Sequence, residues 1–311
     1  MEWVEISVTI NPLGVEAVAN MFHEMGAGGV VIEEPQWSWD LEGEDILQCQ
    51  VFPGVEEVGT GVIVRGYLPA DDYLAGRLHE IRRGVDNVLA VLPGAEGRVE
   101  FRQVKDEDWA GTWKKYYRTL QVGKNIVIKP AWEDYIPTSQ QVVIELDPGM
   151  AFGTGTHPTT VMCLQAIEEI IVGGERVFDV GTGSGILAIA AAKLGAKEVI
   201  AIDNDSIAVR SARANVQANG MQEKVIISRG DLLTEVAGKA DLIVANLTVD
   251  IIKKLAVQLG EHLNTGAKVV LGGIIAPRVQ EVHAMLAGIG LIITGIKTEG
   301  DWVTVSALKE G

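Results

Sequence analysis

Residues 176–185 read Arg-Val-Phe-Asp-Val-Gly-Thr-Gly-Ser-Gly, and the chain continues through Ile186–Leu194 to Val199-Ile-Ala-Ile-Asp203. An apolar run, a glycine cluster, an aliphatic segment, a second apolar run and a carboxylate follow one another. That order spells strand, tight turn, helix, strand and an acid at the second strand's tip. Gly181, Gly183 and Gly185 remove side chains where the backbone must turn sharply and approach a ligand closely. Asp203 falls where a ribose would present its hydroxyls. The glycines alone fit any strand-to-helix turn. Asp203 does not, because Asn204 and Asp205 already suffice to cap the helix beginning near Ser206.

The spacing narrows the ligand. A dinucleotide fingerprint places a third glycine where this chain has Ile186, and that glycine is what allows close helix packing. No Lys-Ser/Thr pair follows, so the turn is not a phosphate loop. A ligand with a ribose and no phosphate fits, and S-adenosylmethionine is such a ligand.

Outward from the turn, strands are expected to end at Val180, Ile202, Ser228, Ala245 and Leu271. Helices are expected over roughly Ile186–Leu194, Ser206–Asn219, Val249–Leu259 and Pro277–Leu286. Gly195 and Gly220 stand where helices terminate. Val/Ile-rich strands between helices imply a parallel sheet covered on both faces. Leu291–Lys297, Thr298-Glu-Gly300 and Asp301–Leu308 read as a hairpin. The expected fold is therefore α/β: a doubly wound, Rossmann-like sheet closed by a C-terminal antiparallel hairpin, the arrangement of S-adenosylmethionine-dependent methyltransferases.

The 311 residues suffice for two domains. No apolar run reaches the ~18 residues that span a bilayer, and Met1-Glu-Trp-Val-Glu5 lacks the marks of a signal peptide. Cys49 and Cys163 are far apart, and no His/Cys cluster has metal spacing. A reducing cytoplasm and no metal are expected. The net charge of −16 is uneven: residues 1–104 carry 18 acidic and 6 basic residues and no lysine, a net of −12. Such a segment repels nucleic-acid phosphates and attracts basic proteins; its bland alternative is a solvated surface.

Those first residues read as strands over Trp3–Ile10, Gly28–Ile32, Gly61–Leu68 and Arg98–Val104. Helices are read over Gly14–Met25 and from Asp71 or Asp72 through Leu89, with Ile46–Phe52 left unassigned. The order β-α-β-β-α-β suggests a small ferredoxin-like α+β domain over 1–104. Trp109, Trp113 and Tyr116 recur at helical spacing, giving a linker helix over 105–122. A strand pair, Asn125–Ile128 and Val142–Leu146, then leads into a catalytic domain over 123–311.

Four features gather at the carboxyl ends of the predicted sheet: the glycine turn, Asp203, Asp231 after the third strand and Asn246 after the fourth. Asp231 lies where an adenine ring would be, or simply opens a turn. The Asn246 amide oxygen can accept from an amine's N–H groups and aim it for in-line displacement; otherwise Asn246 closes a strand-to-loop turn. Pro158 suits the first turn of a helix running to about Ile171. Thr159 and Thr160 then offer N–H groups to a carboxylate. His157 is read as a general base or as a structural loop residue.

The segment Asp147-Pro-Gly-Met-Ala-Phe-Gly-Thr-Gly-Thr-His-Pro-Thr-Thr160, with Asp179-Val-Gly-Thr-Gly-Ser-Gly-Ile-Leu-Ala-Ile-Ala-Ala191, resembles the family of methyltransferases of large-subunit ribosomal protein eleven. The resemblance is strong over 105–311, including Trp109, Trp113 and Asp301-Trp302, and weaker over 1–104. It implies that Thr160, Gly181, Asp203 and Asn246 contact S-adenosylmethionine, that amino groups of a basic ribosomal protein accept the methyl, and that residues 1–104 recognise that substrate. The chain departs from the family pattern at Leu247-Thr-Val249, where Ile-Leu-Ala is usual, and at Leu271-Gly-Gly-Ile274, where Leu-Ser-Gly-Ile is usual. Both changes lie on the substrate side.

Rival readings differ by testable features. Leu247-Thr-Val249 lacks the Pro-Pro-Tyr that stacks on planar amines, which favours an aliphatic amine. A small-molecule amine methyltransferase would not need an acidic front domain. Arg65-Gly-Tyr67 faintly matches the start of an RNA-binding motif, but the negative charge opposes nucleic acid. A nicotinamide dehydrogenase is disfavoured by Ile186 and the hairpin.

Overall fold

The computed structural model describes residues 2–11, 14–25, 27, 30–33, 62–71, 73–91, 98–105, 118–146, 155 and 157–310. The chain forms two compact units, Met1–Tyr116 and Tyr117–Gly311.

The first unit contains β1 (Glu2–Ile10), α1 (Val15–Glu24), β2 (Val30–Glu33), β3 (Val62–Pro69), α2 (Leu74–Val91) and β4 (Arg98–Lys105). Its sheet has the order β2-β3-β1-β4, with every neighbouring pair antiparallel. Alternation along β1 sends Ile6, Val8 and Ile10 into a core with Val18 and Phe22 of α1 and Ile81 and Val85 of α2. Gly66 is required there, since a Cβ would lie 2.6 Å from the Phe22 ring. The alternate positions of β1 and β3 carry a polar cluster. Arg65 donates to Glu5 Oε1 (3.1 Å) and Ser7 Oγ (2.8 Å), and the Tyr67 hydroxyl donates to Glu5 Oε2 (3.0 Å). Tyr67 is buried and offers no face on which a base could stack. Asp71 opens α2 by accepting the Tyr73 N–H at 3.0 Å; Asp72 lies outside the described residues.

The second unit opens with β5 (Leu120–Val122), β6 (Ile126–Pro130) and β7 (Val142–Leu146). The expected strand pair is β6 and β7, which run parallel. The expected linker helix does not extend to residue 122, because Leu120–Val122 pairs antiparallel with β6. Gly123, at φ 72°, makes that turn, and the Glu168 carboxylate accepts the Lys124 and Asn125 N–H groups at 2.8 and 2.6 Å. A local pairing partner outcompetes helix continuation. Trp109, Trp113 and Tyr116 lie outside the described residues, as does Ile46–Phe52.

The larger sheet comprises β8 (Arg176–Val180), β9 (Glu198–Asp203), β10 (Val225–Arg229), β11 (Ala240–Asn246), β12 (Leu263–Ile275), β13 (Leu291–Glu299) and β14 (Trp302–Lys309). Among the described residues its order is β10-β9-β8-β11-β12-β14-β13. The joins from β10 to β12 are parallel, and those of β14 to β12 and β13 are antiparallel. The mixed seven-stranded sheet thus ends in the expected hairpin. The helices are α3 (Pro158–Ile170), α4 (Ile186–Lys193), α5 (Ser206–Ala218), α6 (Val249–His262) and α7 (Val279–Gly288). Two details differ from the sequence expectation. Strand β12 runs past Leu271 through an irregularity at Gly272-Gly273, where Gly273 has φ 79°. Pro277 sits in a separate 3-10 turn, Ala276–Arg278, ahead of α7, because a proline tolerates only a first helical turn.

Cores fill both faces. Residues of α3, α4 and α5 cover Val177, Val199, Val244 and Val270; α6 and α7 cover Phe178, Val180, Ile243 and Ala245. Every residue of Ile186–Ala192 is buried, and its alanines let α4 settle close to the sheet. Strand order reverses between β8 and β11, the switch point at whose carboxyl ends such sheets bind ligands. Helices α4 and α5 stop as expected at Gly195 (φ 113°) and Gly220 (φ 67°). The Ala196 N–H bonds Ala191 O, and the Met221 N–H bonds Val216 O.

A Cβ at position 220 would meet nothing within 4 Å. Gly220→Ala is therefore expected to cost about 1–2 kcal/mol through left-handed backbone strain alone, read as a lower urea midpoint at unchanged slope.

Candidate functional site

The site begins at the glycine turn. Gly181, Gly183 and Gly185 have φ values of 75°, 54° and 84°, which side chains rarely tolerate. The Gly181 and Thr182 N–H groups both donate to Ile202 O at 2.8 and 3.0 Å. The turn is thereby tied to the tip of β9. Sterics add to conformation: a Cβ on Gly181 would collide with the Leu247 side chain, and one on Gly185 would lie 3.2 Å from Ala212 of α5. Gly155, at φ 89°, is wedged in the same way between Ile128 and Ile186. The rest of Asp147–Thr156 lies outside the described residues.

Asp203 holds this turn from below. Its Oδ2 accepts the Gly183 N–H at 2.9 Å, and its Oδ1 accepts the Asp205 N–H at 3.0 Å. Asp205, not Asp203, caps α5, accepting from Ile207 at 2.8 Å. A carboxylate has about four lone-pair sites, so Asp203 keeps acceptor capacity for a ligand. On the neighbouring strand, the Gly230 N–H donates to Asp203 O at 3.0 Å and brings Asp231 to the same edge. Asp231 is exposed and opens a turn in which its carbonyl accepts the Thr234 N–H and hydroxyl. Leu232 follows at φ 54°, the non-glycine residue of positive φ among those described. Bulky residues held in that conformation cluster at ligand sites.

Asn246 ends β11 opposite the turn and pairs with Gly272. Its Nδ2 donates to Thr160 Oγ1 at 3.2 Å. Thr160 lies in the first turn of α3, which begins at Pro158 as expected. The expected open N–H groups at that helix start are not open. His157 is the N-cap: its Nδ1 accepts the Thr159 N–H at 3.3 Å, and its carbonyl accepts that of Thr160 at 3.0 Å. This assigns His157 a structural role, and its ring stands edge-on to Trp302 at 4.9 Å. Thr159 and Thr160 are both buried.

One residue escaped the sequence reading. Asp179, next to the last residue of β8, is fully buried. Its Oδ2 accepts from Thr182 Oγ1 (2.6 Å) and the Ala188 N–H (3.1 Å), while Oδ1 has no partner. Burial, and secondarily the nearby Asp203 charge, pushes its carboxyl up from 3.8 to about 7. A lone acid inside the apolar run Val-Phe-Asp-Val was the signal that could have revealed it. Among the described residues no cluster of His, Cys, Asp and Glu could hold a metal ion.

The family description "Ribosomal protein L11 methyltransferase (PrmA)" matches residues 2–310. The chain belongs to the ribosomal protein L11 methyltransferase family. A relative of that name from Pelotomaculum thermopropionicum is 44% identical over 308 residues, covering 99% of each chain. Another, from Desulforamulus reducens, is 42% identical over 312 residues and covers 100% of each. Among solved structures, the ribosomal protein L11 methylase of Lactobacillus delbrueckii subsp. bulgaricus is 38% identical, with a TM-score of 0.60 over 63% of this chain and 100% of that one. The glycine turn and Asn246 thus sit in a methyltransferase, as the sequence resemblance implied.

The Asp179 shift has a definite sign. The folded carboxyl keeps its proton to higher pH than the unfolded one, so folding takes up a proton between about pH 4 and 7. Stability should fall as pH rises through that window and level off above it. Denaturant midpoints of wild type and Asp179→Asn across that range should differ in slope; parallel profiles would contradict the assignment.

Proposed function

We propose that this enzyme moves methyl groups from S-adenosylmethionine to lysine side-chain or N-terminal amino groups of ribosomal protein L11. The observation that carries this reading is the end-to-end family match, joined to a glycine turn and Asn246 at the carboxyl ends of two adjacent strands. A small-molecule amine methyltransferase finds no such support.

The residues present fit the methyl donor. The turn at Gly181–Gly185 keeps its backbone bare, because Leu247 and Ala212 leave no room for a Cβ at Gly181 or Gly185. Asp203 has lone pairs left for ribose hydroxyls, and Asp231 stands at the adenine edge. The unpartnered Oδ1 of Asp179 suits an ammonium such as that of the methionine end, which would favour its ionised form. Thr160 and Asn246 stand at the reactive end. When bound, the donor supplies an electrophilic methyl: the amine lone pair forms the N–C bond, the S–C pair stays on sulfur, and the amine's proton passes to water.

The protein must present a neutral amine. Lysine's ordinary pKa near 10.4 makes this cost about 4–5 kcal/mol at pH 7. Burial and the like charge of a sulfonium both favour proton loss. The Asn246 carbonyl oxygen then accepts an N–H and aims the lone pair. No carboxylate or histidine among the described residues bonds Asn246, so the proton's exit to solvent is part of the proposal.

Residues 1–104 are proposed to be a ferredoxin-like recognition domain. Their strand and helix order supports this reading, and their net charge of −12 suits a basic ribosomal protein. The internally bonded Arg65 and Tyr67 speak against direct nucleic-acid binding. No described helix is long and apolar enough to cross a membrane, and the cytoplasm, where ribosomes are built, is the proposed location.

Asn246→Ala is expected to lower methyl transfer to L11 about a hundredfold or more at saturating S-adenosylmethionine, scored by mass spectrometry. Full transfer by the variant would refute the role given to the amide.

A further inference from the structure

We propose that Gln258 is a positioning residue for donor selectivity: from α6 it fixes the turn after β10, so that Asp231 meets the amino edge of the donor's adenine. This rests on the adenine placement proposed above and goes beyond it, because that placement involves no residue of α6.

The turn needs holding. Among the described residues β10 is an end strand of the larger sheet, so the chain leaving it has a neighbouring strand on one side only. Leu232 lies in the turn at φ 54°, and a bulky residue keeps that conformation only where its surroundings over-determine it. On the β9 side, the Gly230 N–H bonds Asp203 O at 3.0 Å. Inside the turn, the Asp231 carbonyl accepts the Thr234 N–H at 3.2 Å and its hydroxyl at 2.6 Å. The turn thus uses the carbonyl of Asp231 and leaves the carboxylate to a ligand.

The remaining anchor comes from α6. Gln258 Oε1 accepts the Leu233 N–H at 2.8 Å. A backbone N–H only donates, so the Gln258 amide must present its oxygen. Leu233 is 0% exposed, so water does not serve that N–H, and leaving it without a partner is costly. One helical turn further on, the His262 ring has Nδ1 2.9 Å from Gln258 O and Nε2 3.0 Å from Val236 O. Both partners are carbonyls, which accept from a ring nitrogen that carries a proton. One helix therefore grips the chain at Leu233 and again at Val236. Leu233 shares its core with Ile252, Leu255 and Leu259 of α6. An apolar side chain at 258 would serve that packing and strand the N–H. The polar choice serves the turn.

Adenine presents an exocyclic amino group, and an ionised carboxylate only accepts. Hypoxanthine carries oxygen in place of that amino group and would set acceptor against acceptor. A rigid turn makes Asp231 discriminate between the two bases, whereas a loosened one lets it swing aside. The sugar and the methionine end are placed on Asp203 and Asp179, on other strands.

The test uses the full chain and calorimetric titration with S-adenosylhomocysteine and with its counterpart bearing hypoxanthine instead of adenine. Wild type should prefer the adenine ligand by about tenfold or more. Gln258→Leu and Gln258→Met remove the amide oxygen at two lengths, and each should cut the preference to about twofold. Gln258→Glu, which keeps an acceptor oxygen at the same reach, should restore most of it. Asp231→Ala should abolish the preference alone and change little further when added to Gln258→Leu. Leucine and methionine variants with wild-type preference would overturn the proposal, as would variants that bind both ligands more weakly by the same factor. Failure of Gln258→Glu to restore the preference would overturn it too. If neither apolar variant folds, Gln258 is a folding determinant and the proposal falls. Wild-type protein that binds both ligands equally would instead refute the adenine placement itself, a distinguishable result.

Discussion

The structure depends on one backbone constraint: five residues, Gly181–Gly185, must turn from β8 into α4 with three left-handed conformations and no room for a Cβ at either end. The constraint is met by hydrogen bonds from the next strand. Ile202 O receives two N–H groups of the turn, and the Asp203 carboxylate receives a third. Asp203 therefore acts twice, as the brace of the turn and as a proposed ribose acceptor. Such a carboxylate can be read from sequence as a ligand contact, yet its bonds to the protein explain why it stands ready before a ligand arrives.

A second consequence follows from how close α4 lies to the sheet. Packing an alanine-rich helix against β8 leaves Asp179 buried between them, with one oxygen bonded to Thr182 and Ala188 and the other bare. A charge there is costly, and the carboxyl holds its proton far above the ordinary range. Binding a cationic group beside it would reverse that preference. On the proposed placement of the donor's ammonium, ligand binding and protonation are linked through this one side chain.

Much of this was legible in the sequence. Glycine spacing, Val/Ile-rich strands and the Thr298-Glu-Gly300 turn predicted the parallel sheet, its edge hairpin and the helix stops at Gly195 and Gly220, because those signals act over a few residues. Asn246 and Asp203 stood out as candidates for the same reason, each being the first polar residue after an apolar strand. The missing parts depend on contacts, some distant and some local, that residue spacing alone does not display. Thr160 meets Asn246 from 86 positions away. His157 was ambiguous until its ring nitrogen was seen capping α3. Leu120–Val122 looked like the end of a helix because helical spacing upstream masked the tight turn at Gly123 that pairs it with Ile126–Ile128. Asp179 looked like part of a motif, and its unbonded oxygen became visible only with α4 in place.

The central claim is that the methyl donor lies across β8, β9 and β11 with its sugar on Asp203 and its reactive end toward Asn246. A crystal structure of the full chain with S-adenosylmethionine measures this directly. The account predicts ribose hydroxyls within hydrogen-bond distance of Asp203, an ammonium beside Asp179 Oδ1 and the methyl facing Asn246 Oδ1. A ligand seated at another edge of the sheet, or bound here with its sugar turned away from Asp203, would contradict it.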